Sequence, residues 1–214
     1  MTKVLIIYTT TMGSTRKMAE AIADGARSVD GAEVTLLEAA EAMQDATAVE
    51  RLKDETRAAD AVILGTPMRH RSADARIKKF IEDVCEQLWL TDEMVGKVGG
   101  VFTVGGGYGD CGAGCEIAQL GLLGAMAAGG MILVTLPKTT PGFQVAGMHW
   151  GVHGRSGGAA MEPIAITDDM KLAGHHHGAN IARVAVELQG KDLLARGNVA
   201  PSEELLQQFT QAAV

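Results

Sequence analysis

Five short apolar runs recur along this chain: "VLIIY" at 4–8, "EVTLLE" at 33–38, "DAVILGT" at 60–66, "KVGGVFTV" at 97–104 and "GMILVTL" at 130–136. They are rich in Val, Ile and Leu and mostly lack alternation with polar residues, the pattern of strands covered on both faces. Helical spacing appears between most of them, with Met18, Ala21, Ile22, Ala26 and Val29 in one segment and Ile77, Phe80, Ile81, Val84 and Leu88 in another. "GCEIAQLGLLGAMAAGG" is apolar almost all round and predicts a buried helix; "DDMKLAGHHHGANIARVAVELQG" supplies a last one, with Asp168 or Asp169 as its N-cap. Strands alternating with helices predict an α/β fold, a doubly wound five-stranded parallel sheet with helices on both faces. Residues 39–57 are compatible with helix or loop. Pro137–Pro163 is rich in Gly and Pro without a period, and a connection of that length is expected to be a functional or mobile loop. The expected organisation is therefore one domain over 1–197, with 137–163 inserted as an active-site loop, and a tail over 198–214.

A chain of 214 residues with 47% hydrophobic content can bury a full core in one domain. Its net charge of −7 opposes nucleic-acid binding, which needs basic stripes to neutralise phosphates. Cys85, Cys111 and Cys115 cannot all pair with one another, and the opening apolar run is too short for a signal peptide. A cytoplasmic location with free thiols is expected. No run approaches the roughly 20 apolar residues of a membrane span, so small molecules or other protein chains are the expected partners.

In doubly wound sheets, ligands bind beyond the carboxyl ends of the strands where the strand order reverses. The first predicted strand ends in "YTTTMGST", in which Thr10, Thr11, Ser14 and Thr15 carry hydroxyls and Gly13 permits a tight turn. The following helix adds unpaired N–H groups and its positive dipole end, so the turn is suited to an anion. The turn itself follows neither the G-x-x-x-x-G-K-[ST] nor the G-x-G-x-x-G pattern, and a hydroxyl cradle without lysine suits a monophosphate. An ordinary helix N-cap would use the same residue types. The third strand ends in "GTPMRHRSADARIKKFIEDV" and the fourth in "FTVGGGYGDCGAGCE". Three unusual loops are thus expected on one edge of the sheet, around one pocket.

With "YTTTMGST", "GTPMR" and "GKVGGVFTV" in this order, the chain from Lys3 to about Gln189 resembles the flavodoxin-fold NAD(P)H:quinone oxidoreductases of the WrbA family. The resemblance implies FMN as cofactor, NAD(P)H as co-substrate, a quinone-type acceptor and a homotetramer. It implies that Thr10, Thr11, Met12, Gly13, Ser14 and Thr15 hold the FMN phosphate. Pro67, Met68, Arg69, His70, Arg71 and Ser72 would edge the flavin ring. Thr103, Val104, Gly105, Gly106 and Gly107, with Tyr108 and Gly109, would hold the ribityl chain and the far side of the ring. "HWGVHG" resembles the family's Tyr-Gly loop, which makes His149 and Trp150 candidate substrate contacts and His149 and His70 candidate proton donors. The family usually has Phe and Gly-Asn where this chain has His70 and Arg71-Ser72, and the second loop carries extra residues around 108–115. Two other readings stay open: a flavodoxin-type electron carrier, and a flavin-free protein with a repurposed pocket.

No metal site is expected. His175, His176 and His177 are consecutive in a predicted helix and point about 100° apart, so they cannot converge on one ion. His149 and His153 lie among glycines, where a loop is expected. Cys115, at a predicted helix start, is a small buried residue with a redox role as the sharper alternative. Trp89 is expected in the core or an interface.

Overall fold

The computed structural model describes residues 1–107, 112–160, 162–195 and 201–212. The chain runs β1 (Thr2–Tyr8), α1 (Ser14–Arg27), β2 (Ala32–Glu38), α2 (Ala39–Ala42), α3 (Ala46–Ala58) and β3 (Ala61–Pro67). Next come α4 (Ala75–Phe80), a π-helical turn (Ile81–Cys85), α5 (Glu86–Leu90), β4 (Val98–Gly105), α6 (Cys115–Ala128) and β5 (Ile132–Leu133). It finishes with α7 (Phe143–Ala146), β6 (Gly147–Met148), β7 (Gly151–Arg155), α8 (Asp168–Leu188) and α9 (Glu203–Ala212). Residues 39–57, compatible with helix or loop in sequence, fold into α2 and most of α3. No helix among the described residues is long and apolar enough to cross a membrane.

The strand order is β2-β1-β3-β4-β7-β6, with β5 on the early part of β4. All pairs are parallel except β6 with β7. The absence of alternation in the strands has its explanation in two cores. Val4, Ile6, Tyr8, Ile63 and Phe102 face α1 and α8; Leu5, Ile7, Val62, Leu64 and Val101 face the layer of α3 to α6. Every other residue enters a different core, so both must be apolar.

The expected fifth strand is divided. Ile132 and Leu133 pair with Val98 and Gly99, whereas Val152 to Arg155 pair with Phe102 to Gly105. Pro137–Pro163 is therefore not a loop throughout: it contributes α7, β6 and the buried strand β7. Gly100 and Val101 fall in the gap between the two halves, and the Val101 carbonyl receives His177 Nε2 of α8 at 3.1 Å. A carbonyl only accepts, so Nε2 carries the proton. The fully buried His177 thus repairs the interrupted ladder. Its neighbours His175 and His176 on the same helix set their rings at right angles, centroids 5.6 Å apart.

α6 departs from expectation. Ile117 is 61% and Leu120 45% exposed, because only the face carrying Ala118, Leu122 and Met126 meets the sheet. Trp89 is 48% exposed, which sets aside the core as its place and not an interface. α8 is capped by Thr167, whose hydroxyl accepts from Met170 N at 3.3 Å, one residue before the expected aspartates. α1 and α8 pack at backbone contact: a β-carbon on Gly178 would lie 2.0 Å from the Ile22 carbonyl oxygen, and one on Gly25 would lie 1.8 Å from that of His175.

A carbonyl in a helix cannot swing aside as a side chain can, so Gly178→Ala should destabilise the fold by about 1–3 kcal/mol despite alanine's better helix propensity; urea midpoints measure it. Burial lowers the pKa of His177 from 6.5 to about 4. The unfolded chain therefore binds the extra proton, and stability present above pH 6.5 is lost as pH falls towards 4. The loss should reach about 3 kcal/mol at about 1.4 kcal/mol per unit. Unfolding curves between these pH values should show it, and His177→Gln should remove this part of the dependence.

Candidate active site

The chain steps from β1 outward to β2, then returns to the other side of β1 as β3, so the order reverses between β1 and β3. A cleft opens at this point, lined by Thr10, Thr11, Met12, Ser14 and Thr15 after β1, Pro67, Met68 and Arg69 at the end of β3, Val104, Gly105 and Gly106 at the end of β4, and Ser156 after β7. Larger hollows lie elsewhere; one of about 270 Å³ between α4–α5 and α6 is lined mainly by apolar groups such as Trp89, Met94 and Met126. The switch-point cleft, about 110 Å³, is where hydroxyls, a guanidinium and free helix N–H groups converge.

Its floor begins at Gly13, which holds φ at 81° and donates its N–H to Thr10 Oγ1 at 3.1 Å. α1 starts there with no side-chain cap and no acidic residue in its first turn. By contrast, α3, α4 and α8 are capped by Asp45, Asp74 and Thr167. The N-cap reading of the hydroxyls thus fails for α1, whose first N–H groups stay available to a ligand. A β-carbon at Gly13 would meet nothing within 4 Å, so there is open space over the turn. These features fit the phosphate of a nucleotide, and the volume suits that end rather than a whole nucleotide.

The loop after β3 forms a two-residue hairpin turn. Arg69 and Ser72 exchange N–H···O bonds of 2.9 Å each, and His70 and Arg71 take φ of 45° and 64°. Positive φ at both central positions is the type I′ turn, which favours Asn-Gly. The tip leans on the second loop, since a β-carbon on Gly114 would lie 2.6 Å from that of Arg71. His70, Arg71 and Ser72 therefore stand at the rim, outside the cleft lining. Thr103 and Gly107 do not line it either; Tyr108, Gly109 and Cys111 lie outside the described residues. Thr103 is fully buried beneath, its hydroxyl 2.9 Å from His153 Nδ1 and accepting from Gln119 Nε2 at 3.0 Å. Gln119 Nε2 also donates to the Val152 carbonyl at 3.0 Å, which ties α6, β4 and β7 below the cleft. Cys115, also buried, places its thiol 3.1 Å from the sulfur of Met148.

His149 and Trp150 are not brought to the cleft. They turn the chain between β6 and β7, beside Val101 and Phe102, whereas the cleft lies by Gly105. β7 runs parallel to β4, so its far end reaches the site: Ser156 N donates to the Gly105 carbonyl at 2.8 Å. Ser156 carries no signal in the sequence, because the glycines of residues 151–155 give the strand that delivers it the appearance of a loop.

Arg76, on α4, carries no signal of its own either. Asp74, 7% exposed at its side chain, accepts from Arg76 Nε at 2.8 Å and Nη2 at 2.9 Å, and from Arg69 Nε at 3.3 Å. These bonds, Arg76 first, hold its carboxyl at about 2. Beyond Asp74, Arg76 Nη1 donates to the Thr10 carbonyl at 3.0 Å, and Arg69 Nη2 bonds Thr11 Oγ1. Arg69 is thus turned to the hydroxyl turn. Arg16 joins the group through Glu38 at 3.0 Å and Tyr8 Oη at 3.1 Å; burial raises the Tyr8 pKa.

The NADPH-dependent FMN reductase family matches residues 2–135. The chain is 33% identical to the NAD(P)H dehydrogenase (quinone) of Syntrophobacter fumaroxidans over 87% of this chain and 98% of that protein. A protein of the same description from Geobacter metallireducens is also 33% identical, over 88% and 100%. The crystal structure of the flavodoxin, WrbA-like protein from Agrobacterium tumefaciens superposes with a TM-score of 0.62 at 25% identity, covering 87% of this chain and 99% of that one.

Because asparagine tolerates positive φ better than histidine does, His70→Asn should raise stability by about 0.5–1 kcal/mol. A denaturant midpoint that does not rise would show that the tip is held by its contacts alone.

Proposed function

The chain belongs to the NADPH-dependent FMN reductase family, and from that premise we propose that it is an FMN-dependent oxidoreductase passing two electrons from NAD(P)H to a quinone. The observation that carries this reading is the uncapped, hydroxyl-lined start of α1 at the switch point. Bound there, FMN would supply the redox chemistry, taking up a hydride and passing the electrons on. Thr10, Thr11, Met12, Gly13, Ser14 and Thr15 bind the phosphate through hydroxyls and backbone N–H groups. Pro67, Met68, Val104, Gly105 and Gly106 border the rest of the ligand, and the tip of the hairpin, His70 to Ser72, edges it. Thr103, Gln119 and His153 hold the ends of β4 and β7 in place beneath it. The quinone is the acceptor reported in the names of the full-length relatives. The reading of the cysteines as free thiols carries a cytoplasmic location, and the family resemblance carries a homotetramer.

Steady-state assay of the FMN-loaded protein tests the proposal. NAD(P)H should be oxidised only when a benzoquinone is supplied, with parallel double-reciprocal lines because the two substrates use one pocket in turn. Intersecting lines would refute alternation. Absence of turnover, with FMN bound, would assign the chain to electron carriage instead.

A further inference from the structure

Two guanidinium groups reach the hydroxyl turn, one from the loop after β3 and one from the first turn of α4, and both end on one atom. Arg69 Nη2 and Arg76 Nη2 each donate to Thr11 Oγ1, the latter at 3.2 Å. A hydroxyl has two acceptor sites and a single donor. With both acceptor sites taken by cations, the Thr11 proton can only be given away, and what it faces must be an acceptor. Arg76 adds a second hold on the turn through the Thr10 carbonyl at 3.0 Å. Asp74 fixes both arginines from behind, and Glu38 takes Arg16 at 3.0 Å with Arg76 Nη1 3.9 Å away. Three guanidiniums thus face two well-buried carboxylates, with the exposed Glu41 at the edge, 3.6 Å from Arg16. Arg69 lines the cleft, and its Nη1 has no protein partner among the described residues.

The geometry points to a guanidinium clamp: Arg69 is a direct ligand of a dianionic monophosphate in the turn after β1, and Arg76 is a positioning residue that acts on it through Thr10 and Thr11. This rests on the reading that a phosphate occupies the turn. Hydroxyls and backbone N–H groups alone would recognise a phosphate mainly by shape; the clamp adds attraction for its second charge. Charge-assisted bonds of this kind are about twice as strong as neutral ones. The site therefore selects phosphorylated over unphosphorylated forms of one ligand, and this preference weakens with salt because the arginines are partly exposed.

The test is fluorescence titration of the flavin-depleted full chain with FMN and with riboflavin, for the unmutated protein, Arg69→Met and Arg76→Met, at low and high salt. The clamp predicts a strong preference for FMN in the unmutated protein, eroded by salt. In each variant the FMN dissociation constant should rise roughly tenfold or more, the effect of one charged hydrogen bond, while that of riboflavin stays unchanged. Preference for FMN that survives intact in both variants would refute the clamp and leave the phosphate turn standing. Equal binding of FMN and riboflavin by the unmutated protein would refute occupation of the turn by phosphate, and the clamp with it. Loss of both ligands together in Arg76→Met would make that residue a support of the fold and overturn its part in selection.

Discussion

A parallel strand can be joined to the next only by a crossover that starts from one edge of the sheet and returns to the other. In this chain the crossovers bury both sheet faces, and the turns leaving β1, β3 and β4 are all delivered to the same edge. The cleft is a consequence of that traffic: its lining comes from those three turns and from the end of β7. Because both faces are apolar, polarity alone does not fix strand register here. Shape does, as where the Phe102 ring fills the space a side chain on Gly65 would need, its Cζ only 2.0 Å from the β-carbon position.

The same division between polarity and shape decides what could be read from the sequence. β1, β3 and β4 are legible because nearly unbroken apolar runs bounded by turns have few other structural uses, and β2, at the sheet edge, is legible from its Val34, Leu36 and Leu37. "GVHGR" hid as a strand because two of its five residues are glycine, and its burial comes from neighbours rather than from its own composition. "GMILVTL" read as a full strand, yet only Ile132 and Leu133 pair, since the rest of that sheet position belongs to β7. The outer face of α6 misled for the opposite reason: its residues are apolar, but nothing among the described residues covers them.

At the site, the chemistry of the first turn was legible and its electrostatics were not. Hydroxyls and Gly13 lie next to one another in the chain, so their joint use shows as a motif. Arg76 is more than sixty residues away from Thr11 and sits on a helix of ordinary appearance, where a basic residue normally means solvent. Only the buried Asp74, which caps that helix and grips both arginines, redirects them. His149 and Trp150 show the converse: a local resemblance placed them at the site, and the direction of β7 takes them away from it.

The divided fifth strand bears on how such a chain tolerates change in length. Residues after Leu133 leave the sheet beside Gly99, and the chain re-enters beside Phe102. Three steps of a strand separate these points, about 10 Å at 3.3 Å per residue. The excursion between them closes on itself, and the entropy of closing a loop grows only slowly with the number of residues it contains. Because His177 satisfies the carbonyl at the break, neither half of the strand has to extend to meet the other. Segments of different size could thus be accommodated between the halves with the register of β4 untouched, making the interruption a place where relatives of this chain can diverge in length without remaking the sheet.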